Sequence, residues 1–359
     1  MATHQLAQRT RQRIIRLCHA GLDARTLRLE ILRALRTVVP IDAAFFATLD
    51  PATLLFTDAL QDAVLREATF SFLDNEFLED DVNKFVTLAR SRTPVRTLVQ
   101  ATARDLEDSP RFRDILAPRA LGDELRAVLR TGSLSWGCLC LHRERAAPGF
   151  SAAEARFVVD LAPHIATGLR AAVLASQVAV ATDRLGPGLL VLAEDLSVVA
   201  RTPLAERWLA EVPFDAGSGM ELPPAIYAAA ARLRAIERGH TVVPELTPRI
   251  RLRTAAGRWL MVHASRMTGP GAQAHTAIFL EEARPVEIAP LILSAHQLTA
   301  REGEITRLVL QGLSTAEISE KLCITLNTVQ DYLKSIFDKV GVRSRRELVA
   351  RLFHQHYLP

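Results

Sequence analysis

The sequence predicts two α/β units, each an antiparallel sheet with flanking helices, followed by an all-α domain of four short helices. Three observations carry this. Thr299 with Glu302, Ser314 with Glu317, and Ser344 with Glu347 each place a hydroxyl three positions ahead of a carboxylate, the reciprocal pairing that satisfies orphan donors at a helix start. Residues 41–60 and 124–142 each read as two strands flanking a turn, at Asp50 with Pro51 and at Gly132. A second set of hairpins, with turns at Asp195 and Gly257, recurs between Leu185 and Glu282.

In chain order, Leu6, Ile14, Ile15 and Leu17, then Leu27, Ile31, Leu32 and Leu35, have helical spacing and predict two helices closed by Pro40. "IDAAFFATLDPATLLFTDAL" reads as two strands joined at Asp50 and Pro51. From Gln61 to Arg92 helices are expected, with mixed periodicity, and Thr93 to Val99 begins a strand or loop. Strands over about Glu124–Thr131 and Leu134–His142 flank a turn at Gly132, with Leu125, Val128, Trp136, Leu139 and Leu141 available to a core. Ser151 and Glu154 open a helix carrying Phe157, Leu161, Ile165, Leu169 and Val173 that runs, past a bend at Pro163, to about Ala181. The segment with Pro285 and Pro290 reads as a linker. No internal sequence repeat accompanies the recurring helix starts.

With 359 residues, 49% hydrophobic and 23% charged, the chain is an ordinary globular protein with room for about two or three domains. A net charge of only +4 means that any nucleic-acid contact must be local. From Thr325 to Arg351, six basic residues (Lys334, Lys339, Arg343, Arg345, Arg346, Arg351) face three acidic ones (Asp331, Asp338, Glu347). No apolar run approaches the roughly 18 residues of a membrane helix, and the N-terminus lacks the apolar core of a signal peptide, so a cytoplasmic protein without membrane partners is expected. The four cysteines, Cys18, Cys138, Cys140 and Cys323, form no CxxC pair and are expected to be buried small hydrophobes.

In the last domain Val329, Leu333, Ile336 and Val340 form one apolar stripe, opposite Asn327, Gln330, Asp331, Lys334 and Asp338. Gly312 and Gly341 suit helix ends. The turn at Cys323 and Ile324 is short enough for a helix-turn-helix. Over its length "LTAREGEITRLVLQGLSTAEISEKLCITLNTVQDYLKSIFDKVGVRSRRELV" resembles the DNA-binding domain of LuxR-family transcription regulators, with matches that include Thr299, Glu302, Gly312, Glu317, Thr328, Val329, Lys339, Gly341 and Glu347. The resemblance implies a four-helix domain whose third helix enters the major groove of double-stranded DNA, as a homodimer on a two-fold site. Gln330 can then bond an adenine edge, Lys334 guanine acceptors and Asp331 a cytosine amino group, with Asn327 completing the base-reading row. Asp331 is either such a contact or a solvated helix-surface charge. Thr325, Thr328, Lys339, Arg343 and Arg345 are expected at phosphates, which position without reading sequence. Arg345 can alternatively pair with a carboxylate. Family members often carry a basic residue at the position of Gln330 and a histidine at that of Tyr332.

"LDPATLL" after an apolar strand, and "WGCLCLHR" followed by "FSAAEARFVVDLAPHIATGL", resemble a GAF domain, which implies a small-molecule pocket between sheet and variable helices and pairing through terminal helices. The hairpins of 185–282 around a helical centre resemble a divergent PAS domain. The resulting plan is a GAF-like domain with terminal helices over 1–178, a PAS-like α/β domain over 183–284, a linker over 285–293 and a LuxR-type helix-turn-helix domain over 294–359. Cys138, Cys140 and His142 share one strand face, more in keeping with core packing than with ligating a metal. Asp80 and Asp81 lack the strand context of a phosphoryl acceptor. No GxSxG elbow, phosphate loop or HExxH motif is present, so neither an enzyme nor a cofactor is expected. The function implied is a transcription regulator whose DNA-binding head answers to a small ligand or partner, with RNA polymerase as a further partner. The alternative is a sensor or scaffold acting on a protein partner, its DNA-binding head serving to localise it.

Overall fold

The computed structural model describes residues 2–175, 185–214, 220–240, 246–269 and 275–354. Helices α1 (Ala2–Cys18) and α2 (Ala24–Leu35) lead into strands β1 (Ala43–Leu49) and β2 (Phe56–Gln61). Four short helices follow, α3 (Ala63–Arg66), α4 (Thr69–Phe77), α5 (Phe85–Arg90) and α6 (Leu98–Ala101), with β3 (Val95–Thr97) between the last two. The first unit closes with β4 (Leu121–Thr131), β5 (Leu134–Glu144) and α7 (Ala152–Ala175). The expected continuation of α7 to about Ala181 lies outside the described residues.

The strand order is β2-β1-β5-β4-β3, with every neighbouring pair antiparallel. Because side chains alternate across a strand, the sheet feeds two cores. Phe46, Leu125, Leu129, Leu139 and Leu141 pack with α1, α2 and α7, whereas Phe45, Val128, Cys138 and Cys140 pack with the helical middle. Gly137 allows the close approach of α7, since a Cβ there would lie 2.5 Å from a Leu169 methyl group.

Helix α7 corrects one expectation. Its Ala152–Leu174 stretch is long and apolar enough to cross a membrane by length and composition, although Glu154, Arg156, Asp160, His164 and Arg170 interrupt the apolar run. Its apolar face is spent on the sheet: Val158, Leu161, Ile165 and Leu169 are buried against α1, α2 and β4.

The second unit contains β6 (Gly188–Leu192), β7 (Val198–Arg201), α8 (Pro203–Glu211), α9 (Pro224–Glu237), β8 (Arg249–Arg253), β9 (Trp259–Arg266) and β10 (Thr276–Glu282). Its order, β7-β6-β10-β9-β8, repeats that of the first sheet, a likeness of topology with no counterpart in the sequence. Helix α9 is alanine-rich, and Ala228 to Ala231 are fully buried, which lets it lie close to both units. It packs on β9 within its own unit and on β2 and α4 of the first. Tyr227 meets Phe70 edge-on at 5.0 Å, and Arg232 lies 5.0 Å from the Phe77 ring centre.

The stretch expected as a linker is instead helix α10 (Pro285–Ala295). Ile288, Leu291, Ile292 and Leu293 are buried, and the helix contacts α7 as well as the C-terminal helices. Pro285 sits in its first turn, where a missing N–H costs nothing. The C-terminal helices are α11 (Ala300–Leu310), α12 (Thr315–Leu322), α13 (Leu326–Val340) and α14 (Arg345–His354).

Candidate nucleic-acid interface

Local chemistry sets each end of the α12–α13 pair. Ser314 Oγ accepts the Glu317 N–H at 3.3 Å, and the Ser314 N–H donates to the Glu317 carboxylate at 2.6 Å. Thr299 and Glu302 form the same reciprocal box at α11. At α14 only half of it forms: Ser344 Oγ accepts from the Glu347 N–H, but the Glu347 carboxylate takes the Arg343 N–H at 2.8 Å instead. Helix α12 ends on Cys323 in the left-handed conformation, and Ser319 Oγ donates to the Ile324 carbonyl at 2.6 Å. Thr325 then caps α13, accepting the Thr328 N–H at 3.1 Å. The helices are therefore joined by a turn of a few residues, with most of its polar groups engaged.

Val329, Leu333, Ile336 and Val340 are buried, facing α11 and α12. That burial leaves Asn327, Gln330, Asp331 and Lys334 exposed together on the opposite face, and neither Asp331 nor Lys334 forms an ion pair among the described residues. Thr325 is exposed at the N-terminus of α13, with Thr328 half-buried beside it; their hydroxyls lie 2.8 Å apart. A helix N-terminus favours a nearby anion.

The remaining cations differ from one another. Arg343 is exposed. Lys339 is committed elsewhere: its ammonium lies 2.6 and 2.8 Å from the two oxygens of Glu302, which also accepts the Ser335 hydroxyl at 2.6 Å. Arg345 donates to the Leu313 carbonyl in the loop between α11 and α12, so its partner is a backbone oxygen and not a carboxylate. Lys339 and Arg345 thus brace α13 and α14 in this state. Glu302, which organises the brace, was legible as a cap but not as a hub. Burial alone would raise its carboxyl; the bonds from Lys339, Ser335 and Thr299 more than offset this and hold it at about 2.

In the first unit a buried polar network occupies the space between sheet and helices. Arg111 donates to Glu124 at 2.8 Å and to Asn75 at 3.1 Å, and Arg126 to Glu76 at 2.7 Å. Asp81 is buried here too, accepting from Ser109, Asn75 and the Arg111 N–H, so no phosphoryl donor reaches it. Glu124, Cys140 and His142 bring ligand-type atoms within 4.8 Å of one another. A cation there would sit against two guanidinium groups, beside a thiol that burial keeps protonated.

Two helices joined by a tight turn, the second presenting a polar row over a buried stripe, define a helix-turn-helix protein. Residues 296–352 match the family described as bacterial regulatory proteins, luxR family. The transcriptional regulatory protein DesR of Bacillus subtilis is 37% identical over 67 residues, covering 19% of this chain and 34% of that protein. A probable HTH-type transcriptional regulator, GfsR of Streptomyces halstedii, is 31% identical over 123 residues, 34% of this chain and 46% of that one. The spore germination protein GerE of B. subtilis is 36% identical over 55 residues, 15% of this chain but 74% of GerE. The chain spans less than half the length of the first two relatives. Through its C-terminal domain it belongs to the luxR family of bacterial regulatory proteins.

Proposed function

We propose that the protein is a sequence-specific transcription regulator that binds double-stranded DNA as a homodimer, with α13 in the major groove. The observation that carries the reading is the exposed row Asn327, Gln330, Asp331 and Lys334, held rigid by the buried stripe behind it. Thr325, Thr328 and Arg343 are the phosphate contacts most accessible in this state; Lys339 and Arg345 reach phosphate only by sharing or leaving their present partners. The two α/β units act as GAF-like and PAS-like sensor domains. Support comes from the first unit's order of helices, hairpin, helical middle, hairpin and long helix, and from the second unit's two hairpins around a helical centre. A signal taken up there shifts the arrangement of the heads by no more than its differential affinity for the two states, and RNA polymerase is the partner to which the DNA-bound protein answers.

The test is DNA binding by the full chain. Affinity is expected to fall linearly with salt on logarithmic axes as phosphate contacts release counterions, and Lys334→Ala to relax preference at one base position by about 1–3 kcal/mol. Unchanged affinity and unchanged preference in that variant would remove Lys334 from the reading row.

A further inference from the structure

A hollow opens where the first unit, the second unit and α10 meet. It encloses about 390 Å³, within the roughly 300–1,000 Å³ of small-molecule sites, which favour domain junctions. The space between the first sheet and its helices, by contrast, is filled by the buried polar network together with Phe45, Phe56, Phe72, Phe77 and Phe85, and the hollows seen there among the described residues are of about 20–30 Å³. We propose that the junction hollow is the binding site of a small, flat, uncharged and largely apolar organic molecule.

The chemistry of the wall selects that class. Its apolar part combines two indoles, Trp136 of β5 and Trp259 of β9, with Leu49, Leu169, Val173 and Leu291. Its buried carboxylates are already paired from within, and the Arg253 guanidinium on the wall is spent on the Trp259 ring and on the Gly257 and Val173 carbonyls. Asp50 is gripped by Arg251, whose Nε donates to it at 2.8 Å; Asp58 is paired with Arg28; Asp23 caps α2, accepting from Arg25 and Thr26 at 3.0 Å. A charged ligand would have to compete with these pairs, whereas an uncharged one leaves them intact. Exposed Asp23, Arg25 and Ala255 mark the open mouth.

Position supplies the consequence. Arg251 Nη1 also donates to the Glu287 carbonyl of α10 at 3.1 Å, and Leu291 of the same helix lines the hollow, so an occupant touches both sensor units and the helix that leads to the head. This coupling rests on the regulator reading above; occupancy does not.

The experiment titrates the full chain with 6-propionyl-2-(dimethylamino)naphthalene, an uncharged naphthyl ketone whose emission moves to the blue in apolar surroundings. Binding in the micromolar range is expected, with quenching of tryptophan emission, and Ala172→Phe and Val173→Phe, which fill the hollow from α7, are each expected to weaken it at least tenfold at an unchanged unfolding midpoint. Absence of binding below millimolar dye, equal binding to folded filling variants, or tighter binding of the sulfonated naphthalene analogue would each overturn the proposal. If one variant does not fold, the other decides. DNA affinity measured with saturating dye is expected to shift at least twofold; binding without any shift would overturn the coupling to the head while leaving the site standing, and a chain that binds dye but no DNA would overturn the regulator reading instead.

Discussion

Glu302 shows how much one side chain can hold. Buried at the start of α11, it takes the Thr299 N–H, the Ser335 hydroxyl and the Lys339 ammonium, tying the first helix of the head to the recognition helix. Glu302→Gln is expected to lower stability at pH 7 by about 1.5–3 kcal/mol, the range for hydrogen bonds to charged groups, as read from urea unfolding. A carboxyl depressed on folding contributes stability above its unfolded value of about 4.3, lost as pH falls from there through about 2; the gap between wild type and variant should narrow below pH ~4.3. His142 carries the opposite charge logic. Burial foremost, with Arg126 and Arg111 nearby and against the pull of Glu124, lowers it to about 4. Its unfolded form takes a proton from about 6.5 downwards while the folded form does not. Stability is therefore expected to fall by about 2 kcal/mol between pH 7 and 5, and His142→Gln to flatten that part of the profile. Of these two roles the sequence showed only the cap and the buried strand face, because both depend on partners on other elements.

At the scale of elements, legibility followed burial pattern. Helix α13 could be read from its apolar stripe, its Thr325 cap and its terminal glycine, because one face is buried and the other solvated. Gly341 closes it at φ 73° with no atom within 4 Å of a built Cβ, so Gly341→Ala is expected to cost about 1 kcal/mol through backbone strain alone, measurable as a shift in urea midpoint without a change in slope. The stretch from Gln61 to Arg92 resisted reading for the converse reason. Asn75, Glu76 and Lys84 are polar yet buried, serving Arg111, Arg126 and the Glu79 carbonyl, so the hydrophobic period that reports a helix is broken where the network needs polar groups. Helix α10 was hidden by its two prolines, which signal a break unless, as with Pro285, one falls in a first turn.

Across the whole molecule, two sheets with one strand order are joined by α9 and by the Asp50–Arg251 pair, then passed to the head through α10. Asp50 also accepts the Arg251 N–H at 3.1 Å, and both side chains are nearly inaccessible. Asp50→Ala leaves a buried guanidinium unpaired and is expected to destabilise by about 3–5 kcal/mol; Asp50→Ala with Arg251→Met should recover much of that, as read from thermal unfolding of the full chain. Equal losses in the single and double variants would mean that the pair does not join the units. The chain alone determined the helix starts, the alternating strands, the four-helix head and the row it presents, since these depend on side chains within a few residues of one another. Only the tertiary structure decided that two units without sequence likeness share a topology, that Lys339 and Arg345 brace the head, and that a hollow opens where three parts meet, since ion pairs between distant residues and the space left between packed surfaces have no local spacing to announce them.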